Sequence, residues 1–194
     1  MKTHLFEIKK AIEESVAAKQ LILNDKALLD TVEKAIGLCV DSLKNGGKIW
    51  FAGNGGSAAD AQHLAAELCG RFYLDRKPLP AEALHANSSF MTAVANDYGY
   101  DHVDSRLIQG CAHAGDVLFA LSTSGNSTNI LAVAHTAQDM GVHVVALTGK
   151  SGGKLREHCD LLLNMPSEDT PRIQECHILI GHILCENIEK ELFG

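Results

Sequence analysis

Lys48-Ile49-Trp50-Phe51-Ala52-Gly53-Asn54-Gly55-Gly56-Ser57 decides the fold. Lys48 to Ala52 is a short apolar run with no inside/outside alternation, the pattern of a strand buried on both faces of a parallel sheet. It feeds a glycine-rich loop, Gly53 to Ser57, after which apolar residues at helical spacing predict a helix from Ala58 to Arg71.

The same strand–loop–helix passage recurs downstream. Asp116 to Leu121 reads as a buried strand. It runs into Ser122-Thr123-Ser124-Gly125-Asn126-Ser127 and then a helix from Thr128 to Met140. His143 to Leu147 and Leu161 to Met165 are further strands, and Ala81 to Leu84 is a weaker one. Short helices are expected over Ser88–Ala95, Asp101–Gly110 and Gly152–His158. A last helix runs from Thr170 to Leu192, with Thr170 expected as N-cap and Pro171 at the first helical position. Upstream, Leu5, Ile8, Ile12 and Val16 mark a helix over Met1–Leu23. Asn24 and Asp25 end it and cap a second helix, Lys26–Leu43, which Asn45-Gly46-Gly47 stops.

Strands alternating with helices predict an α/β fold: a three-layer α/β/α sandwich around a five-stranded parallel sheet of order 2-1-3-4-5, preceded by N-terminal helices. Residues 1–194 form a single domain. Residues 1–45, which precede any strand, are expected to pack as a helical pair on another subunit.

Composition sets the outer limits. The 194 residues are 46% hydrophobic and 21% charged, as in an ordinary globular domain. With 17 basic and 24 acidic residues the net charge is −7, which disfavours a nucleic-acid or anionic-membrane partner. Cys39, Cys69, Cys111, Cys159, Cys176 and Cys185 include no C-x-x-C pair. A chain this long needs no disulfide staples, so they read as reduced thiols of a cytoplasmic protein. No stretch approaches the ~18 apolar residues of a membrane span.

Two loops carry anion chemistry. Glycines allow close backbone approach at Gly53–Gly56, and the helix behind them offers free N–H groups and a partial positive charge. Gly53-x-Gly55-x-x-Ala58 also meets the dinucleotide fingerprint, but the next strand ends at Leu84-His85-Ala86-Asn87 without the carboxylate that would hold a ribose. The loop Ser122–Ser127 presents four hydroxyls at a helix start, a phosphate cradle that needs no lysine. In a sheet of this order both loops leave neighbouring strands at the switch point and face one crevice.

His63 and Glu67 lie i, i+4 on one helical face and can share a borderline metal such as zinc, although a lone pair of this kind is more often a surface pair. On the last helix Gln174, His177 and His182 interrupt an apolar stripe. Gln174 and His182 are about 12 Å apart along a straight helix. Both reach one metal only with a distorted first turn or a ligand from a neighbouring subunit, and the helical arithmetic leaves both open.

Six motifs occur in order: Gly53-Asn54-Gly55-Gly56-Ser57, Ala61-Gln62-His63, Asn96-Asp97, Leu121 through Ser127, Leu147-Thr148-Gly149, and Arg172-Ile173-Gln174-Glu175. Together they resemble the bacterial sedoheptulose 7-phosphate isomerase family, within the sugar isomerase (SIS) domain superfamily, over nearly the whole chain. The resemblance implies conversion of D-sedoheptulose 7-phosphate to D-glycero-D-manno-heptose 7-phosphate. That is the first step toward the nucleotide-activated heptose of bacterial surface glycans such as lipopolysaccharide. It implies a cytoplasmic homotetramer with active sites at subunit interfaces and one zinc per subunit on His63, Glu67, Gln174 and His182. It implies substrate contacts at Asn54, Gly55, Gly56, Glu67, Asn96, Asp97, Ser122, Thr123, Ser124, Ser127 and Gln174, and Glu67 and His182 as base and acid. The residues before Arg172 are Asp169-Thr170-Pro171, where some members carry an aspartate closer to the arginine, and Arg76–Asn87 matches the family weakly.

Two other readings compete. A non-catalytic SIS paralogue that binds the replication initiator shares both loops and the Arg-Ile-Gln-Glu segment, but lacks Glu and His at the positions of Glu67 and His182. An SIS isomerase of another phosphosugar shares the machinery itself. The presence of Glu67 and His182 favours an enzyme.

Overall fold

The computed structural model describes residues 4–194; Met1–Thr3, where the first helix was expected to begin, lie outside the described residues. Helix α1 (Leu5–Asn24) and helix α2 (Lys26–Lys44) precede the sheet. Asp25 separates them and caps α2, its carboxylate accepting from Leu28 N at 3.0 Å. Then follow β1 (Ile49–Gly53), α3 (Gly56–Cys69), β2 (Ala81–Ala83), α4 (Ser88–Tyr98), α5 (Val103–Cys111), β3 (Val117–Ser122), α6 (Thr128–Asp139), β4 (His143–Thr148), β5 (Leu161–Asn164) and α7 (Thr170–Phe193).

The five strands form one sheet of order β2-β1-β3-β4-β5, every neighbouring pair parallel. Strand residues alternate between two cores. Ile49, Phe51, Val117, Phe119, Leu121, Val145 and Leu147 face the layer of α2, α3 and α7. Trp50, Ala52, Leu118, Ala120, Val144 and Ala146 face the layer that includes α6 and Ile108 of α5. Both faces are covered, which is why the strands read as unbroken apolar runs.

Five expectations about the elements are corrected. α3 begins two residues earlier than predicted, because Gly55 itself stands at the N-cap with φ +57°, a conformation open to glycine. It ends at Cys69, so Arg71 lies outside it. The N-cap of α7 is Asp169, whose side chain makes no capping bond; Thr170 is already helical. The segment expected as a short helix near Gly152–His158 is a single 3₁₀ turn, Lys154–Glu157. Asp116 stays outside β3, its carboxylate accepting from Lys48 N at 2.9 Å, Trp50 Nε1 at 2.9 Å and His113 N at 3.0 Å.

The N-terminal pair divides. α2 buries Leu28, Val32, Ala35, Cys39 and Val40 in the chain's own core, whereas α1 buries only Ala18 and Ile22. Leu5, Phe6, Ile8, Ile12 and Val16 of α1 are about half exposed or more. No helix among the described residues is long and apolar enough to cross a membrane.

Candidate active site

Gly53 at the end of β1 pairs with Leu121 near the end of β3, so the glycine and serine loops leave adjacent strands at the same edge. The helices that follow go to opposite faces: α3 buries Ala61, Leu64 and Leu68 in one core, and α6 buries Ile130, Val133 and Ala134 in the other. Their divergence opens the crevice characteristic of a switch point.

At the serine loop, Ser122 Oγ and Ser127 Oγ lie 3.1 Å apart, and Ser124 Oγ accepts from Asn126 N at 3.1 Å. Gly125 takes φ +66° and packs against the Gly152–Gly153 backbone, where a Cβ would collide. Thr123, Ser124, Asn126, Gly149, Lys150 and Ser167 help line a cavity of about 280 Å³ beside this loop. The start of α6 adds unpaired N–H groups and its positive end, which suits an anionic oxygen.

At the glycine loop, Asn54 is half-buried and held by Asn129 and Tyr100. Gly55 and Gly56 are exposed. A Cβ on Gly56 would run into the Gln174 carboxamide, so Gln174 lies over the first turn of α3. Asn96 and Asp97, at the exposed end of α4, bond to each other at 2.9 Å.

The third group sits where α3 crosses α7. His63 Nε2 lies 2.9 Å from His182 Nε2 and 3.3 Å from Glu67 Oε1, and one ligand atom from each residue falls within 4.8 Å of the others. Glycine makes this approach possible: a Cβ on Gly181 would stand 2.5 Å from Leu64 Cδ1, one residue from both histidines. The Phe72 ring packs on His182 with centroids 5.8 Å apart. Arg76 ties the end of α3 down by donating to Glu67 O at 3.0 Å and Leu68 O at 2.7 Å. It is itself held by buried Glu189, which accepts from Arg76 Nε at 2.9 Å.

The donor set fits a borderline metal. Tetrahedral zinc with bonds near 2.0–2.2 Å sets its ligand atoms about 3.3 Å apart, close to the 2.9 and 3.3 Å from His63 Nε2 to His182 and Glu67. Three of the four ligands that the resemblance implies thus come together within one chain. Gln174 does not join them here: α7 is regular from Thr170 onward, and Gly56 lies seven positions before His63 on α3, a rise of about 10 Å.

The sequence reading missed Asp60. One turn before His63, its Oδ2 is buried without a hydrogen-bond partner. Burial pushes its carboxyl up, and His63 and His182 pull it back. An acidic residue three positions before the histidine, on the same helical face, was the available signal. His177, the other polar interruption on α7, is fully buried and reaches Thr148 O at 3.2 Å, a core residue rather than a ligand.

The chain has relatives among known proteins. The SIS domain family matches residues 14–149. A phosphoheptose isomerase of Mycobacterium tuberculosis is 54% identical over 181 residues, covering 93% of this chain and 92% of that protein. The structure of a phosphoheptose isomerase from Neisseria gonorrhoeae superposes with a TM-score of 0.91 at 43% identity, covering 97% of this chain and 100% of the other. One from Francisella tularensis superposes with a TM-score of 0.93 at 38% identity, covering 97% and 99%. Carrying the SIS domain over most of its length and more than half the residues of a near full-length relative, this chain belongs to the phosphoheptose isomerase family.

Proposed function

We propose that the chain converts D-sedoheptulose 7-phosphate to D-glycero-D-manno-heptose 7-phosphate through an enediol, with Glu67 and His182 as the proton-transfer pair. The observation that carries this assignment is the convergence of His63, Glu67 and His182 at the α3–α7 crossing, in a chain whose serine and glycine loops face one crevice.

Isomerisation moves hydrogen between neighbouring carbons and needs a base, an acid and stabilisation of a developing oxyanion. Glu67 takes the proton from C1 as the C1=C2 double bond forms, and His182 delivers a proton to the carbonyl oxygen on C2. In the second half Glu67 returns its proton to C2 while His182 removes the one on the C1 hydroxyl, leaving the aldehyde. Ser122, Thr123, Ser124 and Ser127 hold the phosphate at the far end, so the reacting carbons are placed by distance. Asn54, Gly55, Gly56, Asn96, Asp97 and Gln174 contact the sugar oxygens between.

His63, Glu67 and His182 would hold one zinc per subunit, with Gln174 as fourth ligand supplied across a subunit boundary; a carboxylate or imidazole on the metal is not free to move a proton, so Glu67 and His182 would each leave it for their own step. When bound, the metal polarises the substrate oxygens as a Lewis acid. The unpartnered apolar row of α1 supports assembly, which we read as a homotetramer. Six free thiols support a cytoplasmic setting, and the product supports a place at the head of heptose precursor synthesis for surface glycans such as lipopolysaccharide.

The test is conversion of sedoheptulose 7-phosphate by purified protein, followed by NMR with and without a chelator. New aldoheptose signals that disappear on chelation and return with zinc are expected. Absence of conversion by the metal-loaded oligomer would overturn the assignment in favour of a binding paralogue or another phosphosugar.

A further inference from the structure

Behind the glycine loop, Asn54 is joined to three polar residues that the reaction scheme does not use, Asn129, Asp104 and Tyr100. Asn54 and Asn129 form a reciprocal amide pair: Asn54 Nδ2 donates to Asn129 Oδ1 at 2.7 Å, and Asn129 Nδ2 donates to Asn54 Oδ1 at 3.0 Å. Such a pair is self-complementary. Turning both amides over exchanges nitrogen for oxygen in each and leaves two hydrogen bonds standing. The pair alone does not choose an orientation.

The choice is made on the far side of Asn129. Its second N–H donates to Asp104 Oδ2 at 2.7 Å, and Asp104 is buried, 2% exposed. A carboxylate only accepts, so a turned-over Asn129 would set a carbonyl oxygen against it with no proton between, in a place water does not reach. Tyr100 donates its hydroxyl to Asn54 Oδ1 at 2.9 Å. A hydroxyl can equally accept, so Tyr100 tolerates either orientation and does not break the tie. Burial pushes the Asp104 carboxyl up, while the Asn129 N–H and nearby His85 work in favour of the carboxylate.

In the resulting arrangement both lone pairs of Asn54 Oδ1 are taken. One hydrogen of Asn54 Nδ2 is used by Asn129, and the other has no partner among the described residues. We propose that Asp104, acting through Asn129, is a positioning residue that makes Asn54 face the crevice as an N–H donor. The substrate atom opposite Asn54 is then an acceptor: a carbonyl, hydroxyl or phosphate oxygen. This inference rests on Asn54 contacting the sugar phosphate, as proposed above.

The experiment compares KM and kcat for sedoheptulose 7-phosphate in Asp104→Asn, Tyr100→Phe, Asn54→Ala and the double variant Asp104→Asn/Asn54→Ala. An asparagine at 104 accepts or donates and so permits both orientations. Losing the bias leaves about half the sites competent and raises KM about twofold. The rise is expected to exceed that in Tyr100→Phe and to vanish in the Asn54→Ala background. An unchanged KM in Asp104→Asn, or the same rise with Asn54 already removed, overturns the proposal. If Asn54→Ala itself leaves both constants unchanged, the inference falls with the Asn54 contact, while conversion by the unaltered enzyme still stands for the isomerase. Neutron diffraction from the unaltered enzyme reads the same point without a variant. Nitrogen with an unshared deuteron facing the crevice is expected, and oxygen there overturns the proposal.

Discussion

α1 and α7 are both long helices, of 20 and 24 residues, and they touch: Arg172 at the head of α7 donates to Ala11 O at 3.1 Å. Both carry apolar residues at helical spacing. Yet α7 buries nine residues, among them Ile173, Ile180, Leu184 and Ile188, and α1 buries two. The row Leu5, Ile8, Ile12, Val16 is as regular as the α7 stripe and remains exposed. Periodicity shows that a helix has an apolar face. It does not show whether that face meets its own sheet or another surface. α7 gains the sheet because it closes the layer beside α2 and α3, and at Gly181 it comes close enough to α3 to join two histidines.

The sharpest way to test the chemical side of this contrast is Glu67→Gln. Its amide keeps the shape of the α3–α7 crossing but cannot act as base. We expect turnover to fall by about 10³-fold or more with the far-UV circular dichroism unchanged; near-normal turnover would remove Glu67 from the chemistry.

Next in size is the pH response of His177 in the α7 core. Burial pulls its pKa down from the ordinary 6.5 to about 4, partly offset by the hydrogen bond to Thr148 O. Between these values the unfolded chain binds a proton that the folded chain refuses. The contribution is therefore intact above pH 6.5 and lost as pH falls toward 4, up to about 3 kcal/mol. Denaturant titrations across that range should show a steeper loss for the unaltered protein than for His177→Asn, and parallel curves would contradict the assignment.

At the crossing itself, Gly181→Val drives a branched side chain into Leu64. A cost of about 1–3 kcal/mol is expected, with weaker metal retention because His182 moves away from His63; a variant that binds zinc like the parent would show that α3 and α7 part without consequence. The smallest effect on the chain's own fold belongs to α1. Ile8→Glu with Ile12→Glu should leave helical content unaltered, within about 0.5 kcal/mol for exposed sites, yet lower the mass found by analytical ultracentrifugation. An unchanged mass would mean that the row is not the assembly surface.

Most of the framework was legible because its signals are local. Unbroken apolar runs at Ile49–Gly53, Val117–Ser122 and His143–Thr148 mark buried parallel strands, and the glycine and serine loops mark the strand ends that border the crevice. Helix ends were less legible. Whether Gly55 or a later residue starts α3 depends on a backbone angle, and whether Thr170 or Asp169 caps α7 depends on the approach of the preceding chain. The candidate ligand set was half legible: His63 and Glu67 announce themselves by i, i+4 spacing, whereas their union with His182 spans more than a hundred residues.

By itself the sequence determined the alternation of strands and helices, the position of both loops and the residue types able to move protons and hold phosphate. These follow from side-chain volume, polarity and short-range geometry. Long-range packing settled that α2 turns its apolar face into the core while α1 adds only Ala18 and Ile22 to it, that Gln174 lies over Gly56 rather than beside His63, and that buried Asp104 stands behind Asn54. Each depends on which distant segments meet, and that is settled by packing over the whole chain rather than by any local pattern.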